Sequence, residues 1–322
     1  MTAVSSRQRT EALLMLILAN LFWGLSFPVI KAIAMTHARL LPESSTWFIA
    51  SWSVGPRFIL ATVVLLALFG RSLGSATRRE WVQGLGLGLF AAIGMLLQTD
   101  GLQFTAASTS AFLTQLYAIL IPLYLALRLR RLPPWTVGVS SVMVLAGVAI
   151  LGRFDWAALR FGRGEAETLI ASLFFMGQIL WLEKKVFSGN RVMPVTIIMF
   201  AVEALVFLAL SAGTAPHLDS LVATFRSVPW VGLTAMLTLF STIGSYLIMN
   251  TFQPRITATE AGLIYCIEPI FGSLLALFLP ALFSVWAGID YPNETATANL
   301  LVGGGLITGA NLLIQLKPLP KD

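Results

Sequence analysis

Ten apolar stretches, each about long enough to cross a bilayer as a helix, dominate this sequence. They lie near residues 13–34, 53–70, 81–102, 106–127, 134–152, 166–186, 193–212, 228–250, 258–280 and 298–315. About 20 apolar residues suffice for a helical crossing. Lipid offers no partner to a free N–H or C=O, so a span must be a helix or belong to a closed barrel. These runs are too long and too uniformly apolar for barrel strands. The reading is an all-α membrane protein with ten transmembrane helices. Composition agrees: of 322 residues, 57% are hydrophobic and only 11% are charged, against about 25% charged in soluble domains. That excludes a soluble enzyme, a disordered chain, a coiled coil and a nucleic-acid binder, despite a net charge of +6.

The basic excess reads as a topology signal. With the N-terminus inside, the inner connections and termini hold 14 of the 21 Lys and Arg residues, the outer ones hold 5, and Lys31 and Arg57 fall within spans. Both termini are therefore predicted cytoplasmic. The first span follows Arg7 and Arg9, but its apolar run exceeds that of a signal peptide, and it is read as retained.

Resident chemistry is sparse. Cys266 is the single cysteine, and the two histidines, His37 and His217, fall in connecting segments. No metal cluster is expected. The sequence contains no GxxxxGK[ST] or HExxH motif, so no cofactor and no enzymatic activity are expected.

The two halves resemble each other. A shift of 150 residues pairs Gly94 with Gly244, Gln103 with Gln253, Thr109 with Thr259 and Ala111 with Ala261, and sets Asp100 against its near-isostere Asn250. A shift of 152 lays ANLFWG from Ala19 on ASLFFM from Ala171. With five spans per unit, the second unit enters from the opposite side. Two inverted five-helix repeats are predicted, 1–152 and 165–315, with a cytoplasmic tail at 316–322. Such inverted repeats suit alternating access around a midplane site.

Three segments then resemble the EamA-type family of the drug/metabolite transporter superfamily: ANLFWGLSFPVIKAIA in the first span, LLQTDGLQFTAASTSAFLTQLYAILIP across the third and fourth, and GLIYCIEPIFGSLLAL in the ninth. The resemblance covers nearly the whole chain. It implies ten helices, both termini inside, a central cavity between the halves and peripheral fifth and tenth helices. It also implies small metabolites, such as amino acids, as substrates, often exported. The chain departs from that pattern in two long outer loops, about 35–52 and 281–297. It also lacks an acidic residue after the fourth and ninth spans, where RLRRLPP follows the fourth.

Ionisable groups inside spans are costly and normally face a wet cavity or a partner. Glu268 lies in the ninth span just before Pro269, which cannot donate to the carbonyl of Tyr265. A carboxyl group beside a freed carbonyl suits an ammonium group or a proton, and a low-dielectric site favours its protonated form. The alternative is a structural bond to another helix. Glu203 in the seventh span is a second proton candidate, or the partner of Lys31 or Arg57. Asn20, Trp23, Phe27 and Lys31 form a stripe on the first span, offering an amide, two rings and a cation. Lys31 alternatively snorkels to the outer interface. Arg57 reads as an interfacial anchor, and Asp100 as a cap of its hairpin or as a partner of Gln98 or Thr105. Thr114, Tyr117, Gln178, Trp181, Tyr246 and Tyr265 complete the cavity candidates. Pro28, Pro122 and Pro269 are the expected hinges. Gly303, Gly304, Gly305 and Gly309 permit close packing, with a homodimer surface as one use.

The sequence thus points to a secondary transporter, an exporter of small metabolites such as amino acids or related amphipathic compounds, in a bacterial inner membrane. Its expected partners are the small-molecule substrate and the lipid bilayer. The alternatives are a non-transporting membrane partner subunit and an intramembrane enzyme using Glu203 and Glu268.

Overall fold

The computed structural model describes residues 6–105, 107–151 and 161–316. Among them the chain is helical, with no strand. The helices are α1 Ser6–Leu40, α2 Thr46–Gly74, α3 Arg78–Gly101, α4 Ala107–Thr114, α5 Tyr117–Leu129, α6 Trp135–Leu151, α7 Arg163–Leu182 and α8 Val192–Thr214. They continue with α9 Ser220–Ala223, α10 Val228–Met236, a π-helical stretch Leu237–Gly244, α11 Ser245–Phe252, α12 Ala258–Tyr265, α13 Glu268–Ala276, α14 Leu279–Ala287 and α15 Ala298–Leu316. Among the described residues, eight helical segments are long and apolar enough to cross a membrane, and Trp135–Leu151 and Ala298–Ile314 are shorter apolar helices at the places of the expected fifth and tenth spans. The expected tail beyond residue 316 lies outside the described residues.

Local sequence explains several helix starts. At α3, Thr77 and Glu80 cap each other's backbone: Glu80 N–H donates to Thr77 Oγ1 (3.2 Å) and Thr77 N–H donates to Glu80 Oε2 (2.7 Å). Thr257 and Glu260 repeat the arrangement at α12, at 3.2 and 3.0 Å. Such reciprocal caps satisfy two donors that a helix start leaves free.

Three expectations need correction. The fourth and ninth spans are not continuous helices. The first breaks at Gln115–Leu116, between α4 and α5, and the second at Cys266–Ile267, between α12 and α13. Pro269 accordingly sits in the first turn of a new helix, where its missing N–H does little harm, instead of kinking a long one. The predicted long outer loop at 35–52 is mostly helix, because α1 runs on to Leu40 and α2 starts at Thr46. The segment 281–297 likewise begins as helix, in α14.

Helix packing interleaves the two halves. α1 packs on the π-helical stretch, α11, α12 and α13, while α7 packs on α3, α4 and α5. α2 packs on α8, and α6 on α15. The α6–α15 seam is backbone against backbone: a Cβ on Gly147 would stand 2.7 Å from the Gly303 carbonyl oxygen, and one on Gly303 would stand 2.5 Å from that of Gly147. Small residues at such a seam let lipid-facing helices gain van der Waals contact. Gly303 is therefore engaged within the chain, whereas a Cβ on Gly305 would meet nothing within 4 Å.

Each end of the bundle is tied by ion pairs and hydrogen bonds. At the end holding the start of α1, Arg9 pairs with Glu260, Arg255 with Glu11 (2.8 Å) and Arg191 with Glu80 (2.8 Å). At the other end Arg163 pairs with Asp100, and Arg39 donates to the Gly288 carbonyl (2.7 Å). Asp100 therefore does not bond Gln98 or Thr105. Gln98 donates to Thr114 (3.0 Å), and Thr105 donates to Glu165.

Candidate functional site

The two helix breaks meet. Cys266, at the α12–α13 break, donates its thiol to Gln115 Oε1 (3.0 Å), at the α4–α5 break. Both residues are buried. The hydrogen bonds around each break shorten to three-residue steps, such as Ala118 N–H to Gln115 O and Ile267 N–H to Ile264 O. A break of this kind leaves main-chain groups outside the regular helical ladder. Hydropathy does not register it.

Aromatic rings gather beside this contact. Trp23 on α1 meets Tyr246 on α11 (5.6 Å between centroids) and Tyr265 on α12 (5.4 Å), both edge-on. Tyr246 also meets Phe58 on α2 (6.2 Å) and Phe200 on α8 (5.8 Å). Such edge-to-face pairs each add about 0.5–1.5 kcal/mol beyond area burial. Five elements thus converge on one aromatic knot. Tyr265 is fixed by its hydroxyl, which donates to Gln253 Oε1 (2.7 Å), and Gln253 in turn donates to the Ile179 carbonyl (2.9 Å).

Beside the knot lie two buried ionisable groups, one of which the sequence placed differently. Arg57, expected as an interfacial anchor, is buried within α2, and Glu203 on α8 is wholly buried. The two lie within electrostatic range of each other and of Tyr246. Arg57 donates to Met95 Sδ (3.2 Å) and lies over the Phe58 ring. Its Nε and both Glu203 oxygens have no hydrogen-bond partner among the described residues. Removing one charge from such a site leaves the other uncompensated. The sequence signal was present, since Arg57 and Glu203 are both ionisable groups in apolar runs. What misled was the span boundary, set too close to Arg57.

Glu268 opens α13 beside the break. It is half-buried and lies within electrostatic range of the buried Tyr117, Tyr246 and Cys266. Asn20 is fully buried on α1 and donates to the Leu16 carbonyl (2.7 Å), and its own oxygen has no partner among the described residues. Thr114 and Gln178 are buried, and the Gln178 amide nitrogen has no partner among the described residues. α1 is held to the eighth span by Ser241, which donates to the Phe22 carbonyl (2.6 Å) from the π-helical stretch. π-helical turns are frequent at functional sites. Pro28, Pro122 and Pro269 are all buried.

Three candidates lie apart from the knot. Phe27 is 45% exposed and covers Gly272 on α13. Lys31 is exposed, and its Nζ lies 4.9 Å from the Tyr291 ring centroid. Burial, with Glu294 second, pushes the Tyr291 phenol up to about 12, so the ring under Lys31 stays neutral. Trp181 lies at the far end of α7, donating to the Gln83 carbonyl (3.2 Å) beneath Lys184.

Comparison with known proteins fits this geometry. Residues 10–153 match the EamA-like transporter family. The family resemblance drawn from the sequence is thus borne out over that segment. An uncharacterized transporter from Archaeoglobus fulgidus is 23% identical over 271 residues, 84% of this chain and 78% of that protein. A solved crystal structure of a protein at 18% identity superposes with a TM-score of 0.68, covering 96% of this chain and 97% of that one. That likeness concerns the fold. The chain is an integral, multi-pass membrane protein.

Proposed function

We propose that the chain is a ten-span secondary transporter, built as two inverted repeats at 1–152 and 165–315, that moves small amphipathic metabolites such as amino acids by alternating access. The carrying observation is the meeting of two broken helices, through Cys266 and Gln115, beside an aromatic knot. Transporter sites are commonly built from discontinuous helices near the repeat interface. The breaks at 115–116 and 266–267 fall nearly one repeat shift apart. The packing supports the same reading: exchanging the halves turns the contacts of α1 with the eighth and ninth spans into those of α7 with the third and fourth, while α2–α8 and α6–α15 map onto themselves.

In this reading Trp23, Tyr246 and Tyr265 grip an apolar substrate body, with Asn20, Thr114, Tyr117 and Gln178 at its margins. Glu268 binds an ammonium group or carries the coupling proton, with Glu203 as the second carboxyl group. Arg57, not Lys31, is the cation that binds a substrate carboxylate, because Arg57 is buried beside the knot and Lys31 is not. The two halves rock about Pro28, Pro122 and the α12–α13 break. Export from a bacterial cytoplasm across the inner membrane, with both termini inside, is the direction proposed. Phe27 and Trp181 are left out of the binding set.

The test is untargeted mass spectrometry of cells and medium for the wild-type chain beside a Glu268→Gln/Trp23→Ala variant at matched membrane levels. One metabolite class changing sides only with the wild type supports transport and exposes the substrate. Matching profiles across diverse media overturn it and favour the non-transporting partner-subunit reading. If Glu268 carries the proton, Glu268→Gln alone transports at a rate independent of pH. An unchanged pH dependence removes Glu268 from that role.

A further inference from the structure

Away from the centre, a crevice of about 550 Å³ opens between the first turn of α3 and the far end of α7. Three cations line it, Arg78, Arg79 and Lys184, together with Trp181, Phe187 and Val82. None of the three cations forms an ion pair among the described residues. The nearby carboxylates are engaged elsewhere: Glu80 by Arg191, through Nε at 2.8 Å and Nη2 at 2.9 Å, and Glu183 by the Ala258 N–H at 2.8 Å. The start of α3 adds the positive end of a helix dipole. Positive charge therefore accumulates here without internal compensation.

The floor of the crevice is fixed. Trp181 donates to the Gln83 carbonyl and meets the tilted ring of Phe187 (5.3 Å between centroids). Its indole lies so close to α3 that a Cβ on Gly86 would stand 2.4 Å from it. Lys184 Nζ sits 3.7 Å above the Trp181 ring centroid, which orients the cation without neutralising it. From the crevice an apolar strip runs along α3: Val82, Leu85 and Leu89 are 43%, 41% and 48% exposed. Their spacing of three and four residues places them on one helix face. A soluble anion would use the cations and leave this strip unused. A phospholipid uses both, with its phosphate among the cations and an acyl chain along the strip. Basic pockets between transmembrane helices at the cytoplasmic side suit acidic headgroups in this way, and the charge bias places this end of the bundle inside.

We propose that this crevice is a binding site for an acidic phospholipid of the cytoplasmic leaflet. The proposal requires a multi-pass membrane protein and does not depend on transport.

The test is native mass spectrometry of the full chain in mild detergent, titrated with dioleoylphosphatidylglycerol, with dioleoylphosphatidylcholine and with inorganic phosphate. The expected result is phosphatidylglycerol binding at least about tenfold tighter than phosphatidylcholine, with phosphate neither binding nor competing. Arg78→Gln/Arg79→Gln/Lys184→Gln lowers phosphatidylglycerol affinity by about tenfold or more, and the exposed single change Lys184→Gln by about fivefold. The charge-matched Arg128→Gln/Arg130→Gln/Arg131→Gln variant, altered outside the crevice, loses less than about twofold. Equal binding of the two lipids overturns the proposal, as does an equal loss in the charge-matched variant or an unchanged Lys184→Gln. Displacement of the lipid by inorganic phosphate reassigns the crevice to a soluble anion and equally overturns the lipid site.

Discussion

The centre of the bundle and its α6–α15 seam bury polar residues by opposite routes. The seam carries no ionisable side chain, and several of its neutral polar groups are tied to main chain: Ser140 donates to the Ala310 carbonyl (3.0 Å), Asn299 to that of Ile150 (2.9 Å) and Asn311 to that of Leu263 (3.2 Å), while Thr136 Oγ1 and Asn311 Oδ1 have no partner among the described residues. The centre holds Arg57, Glu203 and Glu268 and leaves Glu203 without a hydrogen-bond partner among the described residues. Neutral polar groups tied to main chain rigidify a seam at small cost, whereas under-satisfied ionisable ones are high in energy and ready to exchange partners. The first is a scaffold. The second is where a working site belongs.

The largest expected effect separates these regions. Arg57→Met leaves the buried Glu203 without the opposite charge in its electrostatic range and lowers stability by about 3 kcal/mol, read from thermal unfolding in detergent. Adding Glu203→Gln restores most of that loss. Additive effects in the double variant would break the pairing of Arg57 with Glu203.

At the seam, Gly303→Leu drives side-chain atoms into the α6 backbone and lowers stability by about 1–3 kcal/mol. Gly305→Leu, where the space is open, stays within about 0.5 kcal/mol of wild type. Equal losses would mean that the seam is not the close contact described. In the knot, Trp23→Ala removes two edge contacts of about 0.5–1.5 kcal/mol each and lowers transport far more than stability. Trp23→Phe, keeping a ring, retains most transport. A parallel fall in both quantities for Trp23→Ala would make the knot a packing element only.

The smallest stability effect belongs to the end ties. Arg9 is partly exposed, so solvent screens its bond to Glu260, and Arg9→Gln changes stability by only about 0.2–1 kcal/mol. Its consequence is kinetic: the end of the bundle it ties opens more often, which thiol labelling of Cys266 from that side reports.

Much of the scaffold was legible because hydropathy encodes it. Trp135–Leu151 and Ala298–Ile314 appear at the expected fifth and tenth places because uncharged, glycine-bearing runs have few alternatives in lipid. The breaks at Gln115 and Cys266 were not legible, since three-residue hydrogen-bond steps leave the apolar pattern intact and Pro269 suggested a kink farther along. The Asp100–Arg163 pair joins residues distant in sequence, across the two halves, where local spacing is silent. Trp181 shares a helix face with Gln178 by spacing, yet spacing does not give depth, and the structure sets it against Lys184 at the helix end. Tyr246 and Tyr265 stand among the cavity candidates by sequence, but their meeting through Trp23 needs the tertiary fold.

Cys266 supplies the most direct measurement. It is the single cysteine, buried where the two broken helices touch. Membrane-impermeant maleimide is applied to right-side-out and inside-out vesicles holding the wild type, Arg9→Gln or Arg163→Gln. Alternating access around the breaks predicts labelling of Cys266 from both sides, with the two variants speeding labelling from opposite faces. Labelling from one face only in all three proteins, or from neither, would contradict it.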